Sequence, residues 1–262
     1  VLSFRNLNVS YGKTRILQNI TGEVKVGQCV GLIGENGAGK STLIHTLAGT
    51  IPYQGDVTLH NQPLAHYSQI ELAHKRAVVM QSQQLGFAFT VQELVAMGRY
   101  SYKESAKQSA KKVAQYIDFM ELSHLKERRT TALSGGELQR VSMARCLAQL
   151  DAFSDNSEPK LMLLDEPTSA LDMRHQHTLL SCVKHFVDMG NAAIIAIHDL
   201  NLAGLYTSDI IMLHQKQILA SGATPDVLTE QNLNHIYAMP LQVKPHPLHD
   251  APMIYSQRQE FL

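Results

Sequence analysis

No stretch of this sequence approaches the roughly 18 consecutive apolar residues that a membrane-spanning helix needs, so any connection to a membrane has to run through a partner. Net charge is lacking as well. The 23 Lys and Arg balance the 23 Asp and Glu, which leaves no global basic field and argues against nucleic acid as a partner. Cysteine is scarce: Cys29, Cys146 and Cys182 make an odd number without a CxxC pair. Unpaired thiols in a reducing compartment are therefore expected, not a disulfide framework. Internal repeats and low-complexity tracts are missing, and the 13 His are scattered without metal-site spacing. Val1 to Ser10 reads as a strand rather than a signal peptide. What remains is a chain of 262 residues, 44% hydrophobic and 18% charged, able to bury a core as one large domain or one domain with a small appendage.

Short apolar runs alternate with helical periodicity. Cys29 to Ile33, Leu161 to Leu164 and Ala192 to Ile197 are continuous apolar runs, as buried parallel strands require. Leu2 to Val9, Ile16 to Val26, Asp56 to His60 and Ala77 to Met80 are further strand candidates, and Ile210 to Leu213 with Gln217 to Ala220 suggests a hairpin. Helices are expected at Lys40 to Ala48, at Val91 to Met97 with Gly98 closing it, and at Ser105 to Met120, Gly135 to Leu150 and Met173 to Met189. Pro225 to Leu228 and Glu230 to Tyr237 read as short helices, Asp155 to Pro159 as a polar surface loop, and the Pro-rich tail from Pro240 as irregular. The recurring order of strand then helix argues for a mainly parallel sheet covered by helices.

Gly34-Glu35-Asn36-Gly37-Ala38-Gly39-Lys40-Ser41 satisfies GxxxxGK[ST], between an apolar strand and a helix. Glycines let the backbone turn its N–H groups inward, where they and the helix start can hold phosphate oxygens. Lys40 would neutralise phosphate charge, and the Ser41 hydroxyl could bind Mg²⁺. Asp165 ends the strand Leu161 to Leu164, at the sheet edge where such folds bind ligands, and can orient Mg²⁺ through its water shell. Glu166, one residue on, is the candidate to polarise an attacking water. His198 ends the strand Ala192 to Ile197 and could either donate to the γ-phosphate or orient Glu166. Gln81 also ends a strand and could reach metal or water, but Gln83 and Gln84 crowd beside it.

With these residues in place the chain resembles the nucleotide-binding subunits of ABC transporters, from about Leu2 to Tyr237. Leu133-Ser134-Gly135-Gly136-Glu137 matches the family signature, and Ser169-Ala170-Leu171-Asp172 the loop that crosses between paired subunits. Tyr11 matches the adenine-stacking aromatic, Gln81 the glutamine-loop position and His198 the switch-histidine position. The resemblance implies an α/β P-loop NTPase of ABC type, with a mixed-sheet core, an antiparallel N-terminal β part and a helical subdomain. It divides the chain into a nucleotide-binding core (1–81 and 130–240), a helical subdomain that contacts a permease (82–129) and a C-terminal tail (241–262). It implies ATP and Mg²⁺ as ligands. The expected nucleotide contacts are Tyr11, Gly34, Asn36, Gly37, Ala38, Gly39, Lys40, Ser41, Thr42, Ser134, Gly135, Gly136, Glu137 and Asp172. Ser41, Gln81 and Asp165 would hold the metal, and Glu166, His198 and Gln81 would act in hydrolysis.

Ser134 reads as the N-cap of the Gly135 to Leu150 helix, whose start offers N–H groups to an anion. In the family those groups meet the γ-phosphate held by a second copy, so one chain supplies half of each of two sites. The expected assembly is two copies with two permease subunits at the cytoplasmic face of a bacterial inner membrane, served by a periplasmic haem-binding protein. Phe89 to Arg99 resembles importers of iron chelates, haem and cobalamin. The stretch Asp151 to Pro159 and the tail around Val243 to Pro247 and Ala251 to Ile254 resemble the haem importers among them. Import of a ferric siderophore or cobalamin is the alternative, and an ABC ATPase uncoupled from transport a more distant one.

Overall fold

The computed structural model describes residues 1–80, 87–154 and 158–257. The chain opens with the antiparallel pair β1 (Leu2–Tyr11) and β2 (Thr14–Val24). β3 (Cys29–Gly34), buried along its whole length, feeds the glycine loop and then α1 (Lys40–Leu47). β4 (Gln54–Leu59) returns to pair with β1, and the two-residue β5 (Gln62–Pro63) closes that edge. α2 (Gln69–Lys75) precedes β6 (Arg76–Val79). α3 (Val91–Ala96), α4 (Ala106–Phe119) and α5 (Gly135–Leu150) follow, each started by a Ser or Thr cap reciprocated three residues later by Glu or Gln. β7 (Leu161–Asp165), α6 (Met173–Asp188) and β8 (Ala192–Ala196) come next, then α7 (Leu200–Tyr206). β9 (Asp209–His214) and β10 (Gln217–Ala223) form a hairpin before α8 (Thr224–Val227) and α9 (Glu230–Tyr237). β11 (Leu241–Pro245) and β12 (Pro252–Ser256) end the described chain.

Two large sheets result. An antiparallel one runs β2-β1-β4-β5, and a mixed one runs β10-β9-β3-β8-β7-β6. In the second only β10 is antiparallel to its neighbour. The continuous apolar runs have a direct explanation. Along β7, Leu161 and Leu163 face one core, with β1, β2 and α1, while Met162 and Leu164 face the other, with the helices α3 to α6. β3 and β8 divide in the same way, so both faces must be apolar. All the parallel strands end at one edge, and that edge carries Gly34, Asp165 and the residues after Ala196.

α3 and α4 pack on α5. Arg99 fastens this helical part to the C-terminal end of α5. Its guanidinium is 2% exposed, pairs with both oxygens of Glu104 at 2.8 and 2.7 Å, and meets Asp151 at 3.1 Å. Lys112 and the Tyr116 hydroxyl reach the same Asp151 carboxylate.

The structure corrects the readings of Gly98 and of the tail, and adds what the sequence did not suggest. Gly98 does not close a helix: the backbone continues as a 3₁₀ turn over Met97–Arg99, and a Cβ at Gly98 would stand 2.5 Å from the Arg145 carbonyl oxygen. Glycine is there so that α5 can approach. Asp151 is a buried residue in the left-handed region, φ 48°, capping α5. The tail is not irregular, since β11 and β12 pair from Leu241↔Ser256 to Pro245↔Pro252. α2 and α7 were not foreseen. Gln81 and part of the 155–159 loop lie outside the described residues. All three cysteines are free and buried, and burial pushes each thiol up to about 12.

Candidate functional site

Gly39 sits in the left-handed region at φ 102°, immediately before α1, and a Cβ there would come 2.6 Å from Leu17 of β2. Only glycine allows that turn, and it aims the start of α1 back across the loop. The buried Lys40 ammonium donates to the carbonyls of Gly34 at 2.8 Å and Glu35 at 3.1 Å, bridging the loop. Burial lowers its pKa, against the opposing charges of Glu166 and Asp165. A compact cation held at the mouth of a helix N-terminus is an anion site.

Asn36, Gly37, Gly39, Lys40, Ser41 and Thr42 line a cavity of about 270 Å³ together with Ile16 and Glu166. The structure thus brings the glycine loop and Glu166 into one space. Gly34 and Ala38 support it from behind, both buried. Ile16, which lines the wall from β2, was missed from the sequence; its only signal was a place in an apolar strand.

The Ser41 hydroxyl donates to Asp165 Oδ1 at 3.0 Å. Asp165 is 2% exposed. Burial raises its pKa, and the neighbouring Glu166 charge adds to that. Two hard oxygen ligands at a spot that disfavours uncompensated negative charge suit Mg²⁺, so the residues fit the ion. When bound, Mg²⁺ would neutralise phosphate charge.

Glu166 takes up φ 50° and its N–H donates to the Ala196 carbonyl at 3.1 Å. That conformation is unusual for a residue with a side chain. It ends the strand abruptly and turns the carboxylate toward the glycine loop. Glu166 Oε1 is hydrogen-bonded directly to His198 Nε2. That contact is the one the orienting role of His198 would use.

The other expected residues lie elsewhere. Among the described residues, neither Tyr11, nor Ser134 to Glu137, nor Asp172 lines the cavity. Tyr11 stands at the exposed tip of the β1–β2 hairpin, 53% exposed. Ser134 caps α5: its hydroxyl accepts the Glu137 N–H at 3.3 Å, while the Glu137 carboxylate accepts the Ser134 N–H at 2.7 Å. Glu137 is therefore occupied with the cap. Gly136 lies under the crossing loop, where a Cβ would be 2.9 Å from the Ala170 carbonyl oxygen. Asp172 caps α6, accepting from the His175 N–H at 2.9 Å. The signature residues are thus exposed or half-buried and do not line the phosphate cavity of their own chain.

A glycine loop, a buried lysine, a Ser–Asp oxygen pair and a glutamate at adjoining strand tips define a P-loop nucleotide hydrolase. The ABC transporter family matches residues 17–169, more than half of the chain, and the chain belongs to that family as an ATP-binding subunit. It is 40% identical to a hemin import ATP-binding protein of Idiomarina loihiensis, over 95% of this chain and 96% of that one. Its fold matches a metal-chelate type ABC transporter in an inward-facing conformation, with TM-score 0.78 and 27% identity over 97% of this chain and 95% of that one. It also matches a dimeric bacterial ABC transporter cassette, with TM-score 0.76 and 25% identity over 85% and 98% of the two chains. Among the described residues no helix is long and apolar enough to cross a membrane.

Proposed function

We propose that this chain hydrolyses ATP in a head-to-tail pair of identical copies and that the work drives import of haem through two permease subunits. In this reading a periplasmic haem-binding protein delivers the cargo, and the ATPase sits at the cytoplasmic face of the inner membrane. The observation that carries the cargo is the likeness, along nearly the whole of both chains, to a hemin import ATP-binding protein.

The chemistry follows from this chain's own groups. Lys40 and the amides of 34–41 hold the β- and γ-phosphates, with Tyr11 against the base. Ser41 and Asp165 would hold Mg²⁺, with Gln81 as a further expected ligand. Glu166, kept in orientation by His198, takes the attacking water's proton or fixes its direction toward the γ-phosphorus. Ser134, Gly135 and Gly136 present the α5 N-terminus to the γ-phosphate of the partner copy, a reading supported by their absence from the cavity of their own chain. Asp172 and its loop lie at the seam between copies. Residues 82–129 grip the permease, while 1–81 and 130–240 form the core. ATP binding closes the pair and draws the two helical parts together, and loss of the γ-phosphate lets them separate.

The test is reconstitution of the transporter in liposomes with its binding protein. ATPase activity and uptake should both rise with haem-loaded binding protein. The metal-chelate transporter fold equally suits a ferric siderophore or cobalamin, and stimulation by one of those, with none by haem, would replace the cargo and leave the ATPase reading intact.

A further inference from the structure

α7 begins two residues after His198 and cannot hold itself in place. It has seven residues, fewer than the roughly 12 to 15 an isolated helix needs in water, so its position depends on what it touches. Asp199 caps it, accepting the amides of Asn201 and Leu202 at 2.9 and 3.0 Å. At the other end the Tyr206 hydroxyl meets Nδ1 of His177 on α6 at 2.7 Å. Between these anchors lies the C-terminal hairpin.

The Asn201 side chain joins the two. Its amide oxygen accepts the Ile254 N–H at 2.7 Å, and its amide nitrogen donates to the Ile254 carbonyl at 3.2 Å. One side chain thus satisfies both backbone groups of an edge residue, as a neighbouring strand would. One turn further on, Gly204 lets the hairpin lie close, since a Cβ there would be 2.7 Å from the Pro252 carbonyl oxygen. Ile254 completes the contact by burying its side chain in the core on that side of the sheet.

His198 sits in the short link between β8 and α7. The sheet fixes one end of that link, and α7 fixes the other. We propose that Asn201 is a positioning residue: by clasping α7 to the hairpin of residues 241–256 it holds the His198 ring against Glu166. This rests on the roles given above to Glu166 and His198. A two-stranded hairpin is marginal alone, so hairpin and helix hold each other, and the C-terminal segment reaches the water-activating pair without touching it.

The experiment measures steady-state ATP hydrolysis by the full chain carrying Asn201→Ala, in wild-type and His198→Ala backgrounds. In the wild-type background kcat should fall, by up to about 100-fold for a displacement near 1 Å, while KM for ATP stays within about twofold because the glycine loop is untouched. In the His198→Ala background the same substitution should cost nothing further. Asn201→Ser removes both contacts to Ile254 but leaves a small uncharged polar side chain beside the hairpin, and it carries the comparison if the alanine variant does not fold. If His198→Ala alone leaves kcat unchanged, the reading of the site fails. If His198→Ala lowers kcat but the Asn201 substitution is silent, or costs the same in both backgrounds, the positioning role is overturned and the site reading stands.

Discussion

Glu166 and His198 are hydrogen-bonded across the tips of neighbouring strands. β7 and β8 run parallel with Asp165 opposite Ala196. Glu166 then leaves the strand at φ 50°, with its N–H on the Ala196 carbonyl. Sheet register therefore brings the two strand tips together, and the short link after β8 carries the His198 ring the rest of the way to Glu166.

Replacing Glu166 with Gln keeps the size of the side chain and one hydrogen-bonding oxygen, but removes the charge that draws the water's proton. Turnover should drop by about 10² to 10⁴, the range for loss of a general base, with ATP still bound. Because closure precedes hydrolysis, the paired form should accumulate with ATP and be seen by size-exclusion chromatography. A variant that hydrolyses at the normal rate would remove Glu166 from this role.

Lys40→Ala should weaken ATP binding roughly tenfold to a hundredfold, as loss of charge-assisted hydrogen bonds worth about 1.5 to 3 kcal/mol implies, and should abolish turnover. Calorimetric titration measures the first and a phosphate-release assay the second. In the structure the same ammonium bridges the Gly34 and Glu35 carbonyls. The loop should therefore lose order as well as charge, and a wild-type affinity would contradict both points.

Much of this site was legible because the residues that make it sit at the ends of unbroken apolar runs. β3, β7 and β8 are buried on both faces, so their sequences could read only one way. The parts that were not legible lack that signal. α2 buries only Leu72 and leaves Ile70 exposed, so its few apolar residues mark no buried face. α7 is too short to show a period. The tail's pairing depends on Asn201 and Gly204, which are distant in sequence. Gly98 has the composition of a stop signal, yet its reason is the Arg145 backbone beside it, a contact visible only once α5 is placed. Contact between Glu166 and His198 was anticipated as one of two possibilities, and it becomes visible only once β7 and β8 are placed side by side.

Shared sites predict complementation. Lys40→Ala lacks the loop lysine, and Gly135→Asp places a carboxylate where the partner's γ-phosphate should meet α5. Gly135 suits this test better than Gly136: a Cβ at Gly135 meets only Ala170 Cβ, at 3.4 Å, whereas at Gly136 it meets the Ala170 backbone at 2.9 Å. Each variant alone should be nearly inactive. Mixed, they form pairs with one site carrying both lesions and one carrying neither, so activity should partly return and rise with concentration. Full activity in a monomer at any dilution would rule out the shared site.

Asp151 offers a prediction about stability, independent of the chemistry. Burial works against its ionised form, but the hydrogen bond from Lys112 and the charge of Arg99 outweigh that and hold its pKa below the ordinary aspartate value. A carboxylate whose folded pKa is lowered stabilises the fold above its unfolded pKa of about 3.9, and that contribution is lost as pH falls through the folded value. Asp151→Asn leaves the buried Arg99 with one carboxylate partner instead of two. Removing one partner of a fully buried pair costs about 3 to 5 kcal/mol. Glu104 still pairs with Arg99, and Lys112 is 35% exposed, so about 2 kcal/mol is expected at pH 7. Urea titrations of the two proteins should show that gap at pH 7 and a shrinking one below about pH 4. A gap that stays constant to low pH would mean that Asp151 acts through packing and not through charge.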